Sequence, residues 1–102
     1  MININESNGR TVMEVVETNR ITVVNAGELK TALGEQLRAK GRSVLLDLSE
    51  IKYMDSTGIS VLISALKTSR ENGSAFAIRG INPEVGKVLS LMKLDTVFDI
   101  ED

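Results

Sequence analysis

The chain has 102 residues, 42% of them hydrophobic, a size that suits one compact domain spanning 1–102. Its 12 basic and 14 acidic side chains leave a net charge of −2, too balanced for a phosphate backbone or an anionic membrane to be the main partner, and no apolar run approaches the roughly 20 residues that cross a bilayer. Cysteine and histidine are both absent, which removes disulfides, thiolate nucleophiles, the commonest general base and the commonest transition-metal ligand.

A cytoplasmic protein that is not an enzyme and calls for neither metal nor cofactor is therefore the expectation. Only carboxylates, lysines and Tyr53 remain for acid–base work, and they would need strongly perturbed pKa values to do it.

Ile2 and Ile4 alternate with Asn3 and Asn5, and Asn8-Gly9 precedes the apolar stretch Val12 to Val16, so the chain opens as a hairpin with a tight turn. Asn25 starts a helical pattern through Ala26, Leu29, Leu33 and Leu37, with Glu28 at the capping-box position and Gly41 to end it. Val44 to Leu48 reads as a central strand, its apolar character extended by Ile51 and Met54. Ile59, Leu62, Ile63 and Leu66 then mark one face of a second helix that ends at Asn72-Gly73. Ala75 to Ile78 is a short strand. Asn82 caps a third helix with Pro83 at its first position and Val85, Val88, Leu89 and Met92 inward, and Thr96 to Ile100 supplies the last strand. The order β-β-α-β-α-β-α-β predicts an α/β fold, a mixed sheet with an N-terminal hairpin, parallel later strands and packed helices.

In open α/β sheets, partners meet the protein beyond the carboxyl ends of the parallel strands. Asp55-Ser56-Thr57-Gly58 lies at such a place, between a strand and a helix. Ser56 or Thr57 would serve as the N-cap, and Gly58 would let the chain turn tightly and a partner approach the backbone. Taken alone the four residues are a good helix cap and need be nothing more.

The longer stretch VLLDLSEIKYMDSTGISVLISAL, residues 44–66, resembles the hallmark segment of the STAS domain, specifically the bacterial anti-sigma factor antagonists. Gly73 before a short strand and the terminal LSLMKLDTVFDI extend the resemblance along the chain. The resemblance implies that Ser56 is phosphorylated by an anti-sigma factor that is also an ATPase-like serine kinase, and is dephosphorylated by a serine phosphatase. The unmodified form would bind the kinase and so release its target. Asp55, Thr57, Gly58, Ile59 and Thr22 would then form the partner-binding surface around Ser56, Asp55 either steering the kinase or bonding to turn amides.

Family members commonly carry a Gly-x-hydrophobic-Asp element before the first helix, where this chain has Asn19-Arg20-Ile21-Thr22. Thr22 thus replaces an acid that contributes to partner recognition, which leaves the identity of the kinase open. Two alternatives stand beside the phosphorylated switch: an interaction module of the same fold that is never modified, and a partner switch whose output is not a sigma factor.

Overall fold

The computed structural model describes residues 2–101. In chain order the elements are β1 (Ile2–Ser7), β2 (Arg10–Val15), β3 (Arg20–Ile21), α1 (Ala26–Leu37), β4 (Ser43–Asp47), β5 (Tyr53–Met54), α2 (Ser56–Asn72), β6 (Ala75–Arg79), α3 (Pro83–Leu91) and β7 (Asp99–Glu101). β1 and β2 form the expected antiparallel hairpin, with Asn8 at φ 52° and Gly9 at φ 77°, the two positive angles a two-residue turn requires. β2, β4, β6 and β7 follow side by side and mutually parallel, giving a five-stranded sheet in the order β1-β2-β4-β6-β7. The expected mixed sheet with parallel later strands is thus the observed one.

Alternation along the strands sends Met13 and Val15, Val44 and Leu46, and Phe76 and Ile78 to one face, where they join Leu29, Leu33 and Leu37 of α1 and Ile59, Leu62 and Ala65 of α2 in one core. Val12 and Leu45, paired in register, belong to the opposite face, which the Arg10–Glu101 ion pair at 2.9 Å also spans.

Several element limits depart from the sequence expectation. α1 stops at Leu37, and Gly41 at φ 78° serves the turn that follows, its N–H donating to Gly73 O. Ile63, expected inside, is 44% exposed because α2 turns Val61 inward beside Leu62. The last strand begins at Asp99 rather than Thr96. Met92 is half exposed because α3 ends before it and Lys93, at φ 58°, redirects the chain. Phe98 fills the core instead, meeting Phe76 edge to face at 6.4 Å.

A second sheet has no counterpart in the sequence reading. β3 and β5, two residues each, pair in parallel with Arg20 opposite Tyr53 and Ile21 opposite Met54. It is the element that sets the functional candidate in place.

Candidate functional site

The backbone of Asn19 accepts from the N–H groups of Lys52 (2.7 Å) and Tyr53 (3.2 Å), and Ile21 O accepts from Asp55 N–H at 3.2 Å. These bonds tie the entrance of α2 to the entrance of α1. Ile21 and Met54 face inward and are buried, whereas Arg20 and Tyr53 face out, the guanidinium 5.4 Å from the ring centroid.

Asp55, not Ser56 or Thr57, is the N-cap of α2. Its backbone is extended (φ −89°, ψ −175°) and its Oδ1 accepts from Gly58 N–H, three residues on, at 3.1 Å. Its carboxylate thus bonds a turn amide, one of the two roles open to it from sequence. Ser56 is the first residue of the helix and exposed, and its hydroxyl takes no part in the cap. Thr57 follows, half-buried, beside a shallow groove between α1 and α2 lined by Ala26, Gly27, Lys30, Ser60, Val61 and Ser64.

Gly58 has a purpose other than the expected turn. A Cβ there would run into Met54 Cγ and lie 3.1 Å from both Ile21 Cγ2 and Ile21 O. Glycine lets α2 press onto the two-stranded sheet, and what approaches its backbone is this chain's own β3 and β5. Ile59, expected at the partner surface, is 1% exposed and belongs to the core, so its contribution to the surface is to hold the helix down. Met54 is likewise buried.

Thr22 stands immediately after β3, half-buried. Its carbonyl accepts from Asn25 N–H (3.1 Å) and Ala26 N–H (2.8 Å), its N–H donates to Asn25 Oδ1 (2.9 Å), and its Oγ1 accepts from Val24 N–H (3.3 Å). The Asn25 amide also donates to Arg20 O at 2.9 Å. Asn25 therefore braces the turn and makes no side-chain cap on α1, contrary to the capping box expected from Asn25 and Glu28. Asn82 behaves alike: its amide caps nothing in α3 and donates to Ser49 O (3.0 Å) and Ile51 O (2.6 Å).

Those bonds help pin the loop between β4 and β5, and Asp47 completes the work. Its Oδ1 accepts from Ser49 N–H at 2.8 Å and from the Ser49 hydroxyl, and its Oδ2 accepts from Arg79 Nε and Nη2 at 3.1 and 3.0 Å. Burial alone would raise the Asp47 pKa. The bonds from Ser49 and Arg79, with the charge of Arg79, outweigh it and hold the carboxyl below its ordinary 3.8. A depressed carboxylate contributes stability above its unfolded pKa and loses it as pH falls through the folded one. The stability gap between the wild type and Asp47→Asn, full above about pH 4, is thus expected to shrink on further acidification in urea titrations. A gap that widens in acid would contradict the assignment.

The site can present a hydroxyl outward on a rigid helix end whose first amides are free to meet an anion. Among the described residues no group of three or more Asp and Glu side chains converges as a metal site would require, and no helix is long and apolar enough to cross a membrane.

Sequence reasoning missed Val23 and Val24, 74% and 90% exposed on the turn before α1, and the outward Arg20–Tyr53 pair. Two-residue strands carry no periodicity that would reveal them.

Comparison with known proteins places the chain in a family whose solved structures include anti-sigma factor antagonists and parts of anion transporters. The family model described as STAS domain matches residues 1–102. An anti-sigma-B factor antagonist of Listeria monocytogenes is 26% identical over 90 residues, 88% of this chain and 79% of the relative. An anti-sigma-factor antagonist (STAS) domain protein from Planctomyces limnophilus superposes with a TM-score of 0.87 at 22% identity, covering 97% of this chain and 87% of the other. The anti-sigma factor antagonist SpoIIAA in its unphosphorylated form superposes with a TM-score of 0.78 at 10% identity, over 100% of this chain and 89% of that one.

Proposed function

This chain belongs to the STAS domain family, and from that premise we propose that it is an anti-sigma factor antagonist switched by phosphorylation of Ser56. The unmodified protein binds an anti-sigma factor that is also a serine kinase, and binding releases the kinase's target. Transfer of the γ-phosphoryl group of ATP to Ser56 Oγ, with ADP leaving and the hydroxyl proton lost, ends the binding, and a serine phosphatase restores it. The chain itself catalyses neither step and acts in the cytoplasm. The names of its relatives support the role.

The observation that carries the reading is the division of labour at the start of α2, where Asp55 does the capping and Ser56 is left exposed with a free hydroxyl. Modification of Ser56 therefore leaves the cap of α2, made by Asp55, in place. A phosphate adds about −1.5 to −2 charges, which a helix N-terminus favours by roughly 0.3–1 kcal/mol. The modified domain should therefore stay folded while its surface changes.

Incubation with ATP and the serine-kinase-type anti-sigma factors of the same genome is expected to add about 80 Da, the mass of one phosphoryl group, to the wild type and nothing to Ser56→Ala. Modification that persists in Ser56→Ala would remove Ser56 from the account, and no modification by any of them would favour the unmodified interaction module.

A further inference from the structure

We infer that Val23 and Val24 form an apolar contact that selects the partner, seating in an uncharged depression on the same kinase that reads Ser56. The inference rests on the proposed function and adds to it the chemistry of the partner's surface. Three observations meet here. First, the two side chains are 74% and 90% exposed, the most exposed stretch of large apolar residues in the described chain, and neither contributes to the core. Second, the turn cannot fold back to cover them, because bonds from Asn25 Nδ2 to Arg20 O, Thr22 N to Asn25 Oδ1, and Asn25 N and Ala26 N to Thr22 O fix it from both sides. A braced turn bearing β-branched side chains loses little entropy when it docks.

Third, the turn is continuous with the Ser56 surface. Ile21 O accepts from Asp55 N–H, so the residue before Thr22 is bonded to the residue before Ser56, and a partner large enough to cover Ser56 meets both. The segment Ile21-Thr22-Val23-Val24-Asn25-Ala26-Gly27 contains no ionisable side chain, and Asp55, the one acid between Met54 and Ser64, is engaged by Gly58 N–H. Where Thr22 replaces the acid expected by resemblance, the turn itself offers a partner apolar side chains, with the exposed charges of Arg20 and Glu28 at its two ends.

The test uses the full chain and, as probe, the purified serine-kinase-type anti-sigma factor of its own genome that binds the wild type, titrated by calorimetry. Val23→Ser/Val24→Ser should melt like the wild type, since both side chains are already in water. It is expected to bind at least roughly a hundredfold more weakly, as loss of two buried valines implies. The fold-loss caused by the double substitution should be the same within about threefold at low and high salt. Wild-type affinity in the double variant, or a fold-loss that vanishes at high salt, would overturn the inference. Ser56→Asp in the same titration separates the two readings: if it loses binding while the double variant keeps it, the valine contact alone has failed. If Ser56→Asp binds like the wild type, the switch has failed and the shared surface with it. A second copy of the chain is the other occupant of such a patch, and dimers that dissociate in the double variant would assign the valines to self-association instead.

Discussion

Ser56→Asp is expected to weaken binding of the partner kinase by about ten- to several-hundredfold while leaving the melting temperature within a few degrees of wild type. The asymmetry follows from where the charge falls. On the intramolecular side it meets the N-terminus of a 17-residue helix, whose free amides and dipole favour an anion. On the intermolecular side a like charge at about 4 Å costs between about 1 kcal/mol in water and about 4 kcal/mol near a protein surface. Since each 1.4 kcal/mol is about tenfold in affinity, even the middle of that range suffices for a switch. Calorimetric titration and thermal melting of one preparation check both halves. Joint loss of folding and binding would show that residue 56 is structural.

Gly58→Val is expected to cost about 3 kcal/mol or more, lowering the melting temperature by roughly 10–20 °C. A Cβ at 58 overlaps Met54 Cγ and crowds Ile21 Cγ2 and Ile21 O at 3.1 Å. Met54 can swing aside, but the Ile21 carbonyl is backbone and also holds Asp55 N–H, so it cannot retreat without loosening the turn that carries Ser56. Partner binding should fall with stability. Gly27→Ala in α1 is the control, because nothing lies within 4 Å of its Cβ. There the helix preference for alanine, up to about 1 kcal/mol, should dominate and raise stability. The two glycines thus answer added bulk with opposite signs, and denaturant titration reads both. If Gly58→Val is as stable as the wild type, close packing of α2 on the two-stranded sheet is not what positions the site.

The fold was largely legible because long elements carry periodic patterns. Asn8-Gly9 marked the hairpin, and Ile59 to Leu66 marked α2 from the spacing of its apolar residues. What the sequence concealed is local and non-periodic. β3 and β5 are too short to alternate, so the sheet that ties Ile21 to Met54 left no trace, and the real reason for Gly58 went with it. The residue types that cap helices also serve loops. Asn25 and Asn82 both looked like caps and both spend their amides on neighbouring carbonyls, while the cap of α2 went to Asp55. That last reassignment leaves the hydroxyl of Ser56 out of the cap. Ile59 shows the opposite error: adjacency to the site in sequence suggested a surface contact, but the helical turn carries its side chain into the core.

The most direct measurement is a titration of the partner kinase into the same preparation of this protein before and after enzymatic phosphorylation, with mass spectrometry confirming one phosphate on Ser56. Binding should be tight before, weakened at least about thirtyfold after, and restored when a serine phosphatase removes the group. Equal affinity in the two states, with Ser56 fully phosphorylated, would contradict it.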